Sequence, residues 1–226
     1  MMSVSRIYRL QALLAGFMMF VALAVPAEEF KPGTDYDLVS PPQPTQDPTR
    51  IEVLEFFWYG CPHCLDFEPD LKAWLKKKPD TVDFVRQPAV FNEQWAAHAK
   101  AYFTAEALGV GDALHDEFFK AIQVRKEKLM TEEEQAEFFK AHGVDAAAFH
   151  QAYRSFAVDS KMRNAQGLAA KYGVTGTPSI VVNGKFLISP SKSKSFPRMI
   201  ALTNALIEQE LALQAGKSAP AKSPKH

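Results

Sequence analysis

The stretch IEVLEFFW, Ile51 to Trp58, is a nearly continuous apolar run of β-branched and aromatic residues. That is the pattern of a strand buried on both faces. Gly60 breaks the run directly before Cys61-Pro62-His63-Cys64, and from Cys61 the periodicity turns helical through Leu65, Leu71 and Leu75. Pro79 stops this helix after the basic stretch Lys76 to Lys78. TVDFVRQPAVF (81–91) alternates enough to be a second strand. Strand, helix and strand in this span form a βαβ unit, whose strands are expected to pair in parallel. Both cysteines of the chain therefore fall where a buried strand gives way to a helix.

The rest of the chain supplies a second kind of structure. From Asn92 to about Tyr172 it reads as helical, with Asn92 capping a helix that bears Trp95, Ala99, Tyr102 and Phe103. Gly109 and Gly111 punctuate the block, Thr131 with Glu134 forms a capping box, and Gly143 ends that helix. Asp145 and Asp159 are expected to cap the next two helices, and Gly173 ends the last. The apolar stripes read as packing faces, with His98, His115, His142 and His150 on the surface of the block. Beyond Gly173, TPSIVV and KFLIS are short strands joined by Asn183-Gly184, a strong hairpin signal. Pro197 to about Ala215 is a final amphipathic helix, and 216–226 is a basic tail expected to be solvated and disordered. Residues 28–50, rich in Pro and Asp, read as an extended lead-in rather than a core element. The expected class is α/β, with an all-helical segment, 92–172, inserted between 51–91 and 173–215.

The N-terminus bears on what two cysteines can do. Arg6 and Arg9 precede an apolar run from Leu10 to Val25, and Val25-Pro26-Ala27 offers small residues for cleavage, as in a secretory signal peptide over residues 1–27. An uncleaved membrane anchor is the alternative, since the run is near the lower limit for a span. Export matters because disulfides persist in oxidising compartments such as the bacterial periplasm. The 226 residues carry 26 basic and 26 acidic side chains, a balance that suggests no nucleic-acid partner. Two cysteines three apart cannot make a multi-bridge framework, and a bridge between them closes too small a loop to stabilise the fold much. The pair reads as a reagent.

Its placement suggests which reagent. A sulfur at Cys61 sits at a helix N-terminus, beside unpaired N–H groups and the positive end of the helix dipole. A thiolate is favoured there, so the Cys61 pKa is expected to fall. Cys64 lies one turn on, less exposed, within reach of a disulfide. Pro62 suits the first helical turn because it brings no N–H that needs a partner. His63 adds to the anion's stability if protonated or donating a hydrogen bond. A stabilised dithiol makes its disulfide a stronger oxidant, so electrons should flow from substrate thiols to this protein.

LEFFWYGCPHC, followed much later by GVTGTPSIVVNGKF, resembles the DsbA thiol:disulfide oxidoreductases over about Glu52 to Ile207. The resemblance implies a thioredoxin fold with an inserted all-helical domain. It also implies a depressed cysteine pKa and an oxidising potential, for which the family is a standard example. By position Cys61 is the attacking nucleophile, Cys64 the resolving thiol, and Pro178 a cis-proline whose loop lies against the disulfide. Thr177 precedes it where some members have Val. Glu55 is either a strand-end carboxylate with solvent access or the family's acid below the active site, relaying a proton to or from Cys64. Arg86 falls where a basic partner would lie on the neighbouring strand. Trp58, Tyr59 and Phe67 are either part of an apolar surface for unfolded chains or plain core. The resemblance further implies exported, thiol-bearing protein substrates, a membrane quinone-linked DsbB-type reoxidant, no cofactor beyond the Cys61–Cys64 disulfide, a monomer, and the periplasm of a Gram-negative bacterium.

Other readings start from the same cysteines. A disulfide isomerase of the DsbC type needs a dimerisation domain that residues 28–50 are too few to build, and a reductase needs a strongly reducing potential. A soft-metal module could use Cys61, Cys64 and His63. No second Cys/His pair at finger spacing completes a zinc site.

Overall fold

The computed structural model describes residues 29–218; the expected signal peptide and the tail beyond Ser218 lie outside the described residues. Five strands form one sheet, in the spatial order β1 (Asp37–Leu38), β5 (Phe186–Ile188), β4 (Ser179–Val182), β2 (Ile51–Phe57), β3 (Val82–Pro88). Strand β2 (Ile51–Phe57) is buried at all seven positions, Glu52 and Glu55 included, as its nearly continuous apolar run leads one to expect. It pairs in parallel with β3 (Val82–Pro88), in register from Ile51 opposite Val82 to Phe57 opposite Pro88. Between them runs helix α1 (Pro62–Leu75), completing the expected βαβ unit. On its other edge β2 pairs antiparallel with β4 (Ser179–Val182), which turns through Asn183 and Gly184, both at positive φ, into β5 (Phe186–Ile188). Asn-Gly accepts those left-handed angles at little cost, which is why this hairpin is legible in sequence.

Period-two alternation divides the sheet's side chains between two faces. Ile51 and Val53 pack with Phe67 and Leu71 of α1 and with Met199, Leu202 and Leu206 of the C-terminal helix α8 (Phe196–Ser218). Leu54 and Phe56 point the other way, to Ala169, Tyr172 and Val174. A short helix α7 (Pro190–Ser193) leads into α8. That last helix runs on through Gly216 to Ser218, so the first residues of the expected disordered tail are helical.

The inserted block comprises α2 (Glu93–Ala107), α3 (Gly111–Phe119), α4 (Glu132–Ala141), α5 (Ala146–Tyr153) and α6 (Phe156–Lys171). Its core is phenylalanine-rich: Phe118 stacks on Phe138 at 4.5 Å, and Phe139 meets Phe149 at 4.9 Å. Phe57, Tyr59, Cys61 and Cys64 belong to the same apolar cluster, so the carboxyl end of β2 is built into the helical block. Asn92, Thr131 with Glu134, and Asp145 cap their helices as expected.

Three local features differ from the sequence reading. Ser155, not Asp159, caps α6, its Oγ accepting the Val158 N–H at 3.2 Å; Asp159 sits in the first turn. The break between α5 and α6 is two residues long and carries no Gly or Pro to announce it. The lead-in does more than connect: Asp37–Leu38 forms β1, antiparallel to β5, and Tyr36 is buried edge-on against Phe186 at 5.6 Å. Finally, the chain after α3 makes one π turn, Lys120–Val124, with the Arg125 N–H reaching back five residues to the Lys120 carbonyl at 2.9 Å.

Candidate active site

Cys61 occupies the N-cap of α1 in extended conformation (φ −87°, ψ 114°), with Pro62 opening the helix. Its N–H donates to the Trp58 carbonyl at 2.9 Å, and its own carbonyl accepts from the N–H groups of Cys64 (3.1 Å) and Leu65 (3.3 Å). The two cysteines are unbonded thiols here; Cys61 is 8% exposed and Cys64 1%. The Thr177–Pro178 peptide is cis, as the resemblance implies, and the Thr177 carbonyl lies 3.3 Å from Cys61 Sγ. The Thr177 hydroxyl is buried without a hydrogen-bond partner of its own, beside both sulfurs.

The electrostatics separate the pair. Cys61 is brought down to about 6, chiefly by the Cys64 thiol donating to it, against the opposing effect of burial; Thr177 and the N–H groups of Cys64 and His63 add to the lowering. Cys64 is pushed well above an ordinary thiol, first by burial, then by the hydrogen bond it donates to Cys61 and by that neighbour's negative charge. One anion is thus shared unequally, on the sulfur that a partner can reach. His63 contributes through its backbone N–H. Its imidazole is exposed, 4.0 Å from Asp66.

Beneath the cysteines lies a buried charge cluster. The β2–β3 register sets Glu55 opposite Arg86, and Arg86 Nε lies 3.4 Å from Glu55 Oε2. Glu55 is fully buried, which removes the reading of a solvent-accessible strand end. Burial raises its pKa to about 8, with Arg86 opposing and Glu68 reinforcing the rise. Neither Glu55 oxygen has a hydrogen-bond donor, and without donors the guanidinium's attraction does not offset desolvation. Glu68, on α1, behaves oppositely. Desolvation works against its charge, but His115 (2.9 Å), Arg86 (3.3 Å) and Lys72 (3.5 Å) together hold it below the usual carboxylate range.

A Glu55→Gln variant is therefore expected to be more stable than the parent near pH 8, by on the order of 4 kcal/mol. The folded state holds the Glu55 proton up to about pH 8 whereas the unfolded chain releases it near 4.5. Stability consequently falls as pH rises through that window, and chemical denaturation of the variant across it should show a flatter slope.

Sequence reasoning missed several neighbours. His98 and His115 are buried, not on the surface of the block. His115 bridges the Tyr59 hydroxyl (3.1 Å) and Glu68, while His98 accepts from Trp58 Nε1 at 2.9 Å. Both lie at inward positions of helices whose apolar stripes hid them. Burial lowers both pKa values. Glu68 had a visible signal: it falls four residues after Cys64 and three before Leu71, on the inward stripe of α1. Of the three aromatics, Phe67 and Tyr59 are core, and Trp58 is half-buried, stacked on Trp95 at 4.3 Å. A largely apolar cavity of about 390 Å³ opens next to His63, lined by His63, Pro190, Lys194, Ser195, Phe196 and Pro197. Among the described residues, no three His, Cys, Asp or Glu side chains are grouped to hold a metal.

A sulfur anion offered at a helix start, on a thioredoxin-type sheet interrupted by helices, places the molecule among the thioredoxin-fold thiol:disulfide oxidoreductases. Similarity to known proteins narrows that class. Residues 52–196 match the DSBA-like thioredoxin domain. The thiol:disulfide interchange protein DsbA of Pseudomonas aeruginosa is 41% identical over 203 residues, covering 90% of this chain and 96% of the relative. That of Azotobacter vinelandii is 42% identical over 210 residues, covering 91% and 98%. The crystal structure of P. aeruginosa DsbA superposes with a TM-score of 0.79 over 82% of this chain and 97% of that one, at 41% identity. DsbA from Xylella fastidiosa gives 0.76 at 31% identity, over 82% and 100%. The chain belongs to the DsbA family, and it is a thiol:disulfide oxidoreductase acting through the Cys61–Cys64 pair.

Proposed function

We propose that Cys61 is the attacking and leaving sulfur, that Cys64 resolves, and that the protein oxidises thiols of exported proteins in the periplasm of a Gram-negative bacterium. The observation that carries this reading is the split between the two sulfurs: an accessible one favoured as thiolate and a buried one favoured as thiol.

In the oxidised protein a substrate thiolate attacks Cys61 Sγ, the S–S bond breaks, and Cys64 leaves with the electron pair. Its raised pKa makes it take a proton at once. Glu55, held neutral by burial, stands close enough to influence Cys64 and is the donor in this scheme, with Arg86 stabilising the carboxylate left behind. The substrate's second thiolate then attacks the substrate sulfur of the mixed disulfide. Cys61 departs as a stabilised thiolate; the substrate is oxidised by two electrons and the protein reduced by two. Thr177 and Pro178, against Cys61, form the loop along which an extended substrate backbone lies, and the apolar cavity beside His63 takes its neighbouring side chains. Reoxidation falls to a membrane quinone-linked protein of the DsbB type, and the protein works as a monomer.

The test is stoichiometric. Oxidised protein mixed with a reduced, unfolded multi-thiol protein should form one substrate disulfide per molecule consumed. Equilibration with glutathione should leave the Cys61–Cys64 couple mostly reduced under conditions where ordinary structural disulfides stay closed; a predominantly oxidised couple would overturn the assignment in favour of a reductase.

A further inference from the structure

The helical block touches the active-site backbone through one side chain that the chemistry above does not use. Gln123 Nε2 donates to the Tyr59 carbonyl at 2.8 Å and to the Cys61 carbonyl at 2.9 Å. A primary amide has two N–H groups, so each carbonyl receives one, and two carbonyl acceptors allow only the nitrogen end to face them. The two carbonyls lie either side of Gly60, two residues apart, and the grip holds the Tyr59–Gly60 and Cys61–Pro62 peptide planes that flank the turn into the helix.

The segment that presents Gln123 is irregular. It lies in the π turn Lys120–Val124, and such turns are rare and concentrated at functional sites. Just beyond, Lys126 (φ 62°) and Leu129 (φ 48°) adopt left-handed conformations that non-glycine residues avoid, at a cost on the order of 1 kcal/mol or more each. Leu129 is buried there. Two further side chains pin the same loop: His98 Nε2 to the Lys128 carbonyl at 2.9 Å, and Gln135 Nε2 to the Leu129 carbonyl at 2.9 Å. These contacts fix the strained stretch at Lys128 and Leu129, beyond Gln123, whose own side chain is held by its bonds to the Tyr59 and Cys61 carbonyls.

We propose that Gln123 is a positioning residue of the dithiol chemistry: by holding the peptide planes around Cys61 it sets how strongly the reduced couple is favoured over the disulfide. The physical route is short. Rotation about the Cys61 Cα–C bond moves the His63 and Cys64 N–H groups relative to Sγ, and those groups help hold the thiolate. An amide on the Cys61 carbonyl restrains that rotation. It also withdraws charge from an oxygen that would otherwise repel the neighbouring anion. The role rests on Cys61 being the reactive sulfur, which a Cys61→Ser variant tests separately.

Gln123→Met keeps the volume and removes both donors. Gln135→Met serves as the control, because Gln135 makes the same two-carbonyl clamp, on Ala97 and Leu129, without touching the active-site segment. In Gln123→Met the equilibrium with glutathione should move about tenfold toward the disulfide, about 30 mV, with a matching rise in the pH at which the Cys61 thiolate absorbance appears. Gln135→Met should lose thermal stability without either change. Unchanged potential and thiolate titration in Gln123→Met, or equal shifts in both variants, would overturn the role. Should Gln123→Met not fold, the parent protein decides: the Gln123 side-chain amide resonances of the reduced form should titrate together with Cys61, and resonances indifferent to that titration would overturn it too.

Discussion

Replacing Cys61 with serine is expected to abolish disulfide transfer completely, while Cys64→Ser should halt it halfway. Serine cannot form the S–S bond on which exchange depends, and Cys61 is the sulfur placed at the helix start with the lower proton affinity. Loss at Cys61 therefore removes both the point of attack and the leaving group. Loss at Cys64 leaves a competent thiolate with nothing to resolve it. Given a disulfide-bearing partner such as glutathione disulfide, the Cys61 thiolate of Cys64→Ser should attack one sulfur, release the other as thiolate and accumulate the mixed disulfide, visible as a mass increment that a reductant removes. Burial supports the asymmetry: Cys64, on the buried face of α1 and next to Thr177, offers an incoming sulfur no path. Thiol loss from a reduced unfolded protein measures the first effect and mass spectrometry the second. Retained transfer in Cys61→Ser, or an adduct formed through Cys64 instead, would contradict the assignment.

Reduction of the bridge is expected to stabilise the folded protein, the reverse of what a structural disulfide does. In the reduced form the Cys61 pKa falls from about 9 in an ordinary thiol to about 6, so the folded state binds fewer protons than the unfolded chain between those values. With the folded pKa depressed, the contribution is full above pH 9 and is lost as pH falls through 6. Near neutral pH it is about 1 kcal/mol, and a unit higher about 2 kcal/mol, after a discount for the solvent that reaches this sulfur. The opposing entropy of a bridge over so small a loop is near the bottom of its scale. For a chain of this length the reduced form should melt a few degrees above the oxidised form near pH 8, and the gap should close toward pH 5. Calorimetry of both forms across that range checks it. By the thermodynamic cycle, a folded protein that prefers its dithiol must hold its disulfide as a strong oxidant, so a gap of the opposite sign would remove the basis for oxidation.

Local chemistry explains what could be read before the fold. The βαβ unit, the Asn183-Gly184 hairpin and the Thr131–Glu134 capping box each depend on residues within a few positions of one another. The Ser155 cap was missed for a local reason too, since Asp159 competes in the same window. Edge strand β1 is two residues long, and only its partner β5 makes it a strand.

The site divides along the same line. Sequence alone determined that two sulfurs would stand one turn apart at the start of a helix following a buried strand, and that an acid, Glu55, would interrupt that strand. Side-chain spacing within one strand and one helix settles those facts. Only the tertiary structure decided that Arg86 faces Glu55, that Glu68 and His115 share its buried cluster, and that Gln123 reaches across more than sixty residues to hold the Cys61 carbonyl. Burial, and the proton affinities that follow from it, belong to the packed assembly of several elements, and no short window of sequence contains them.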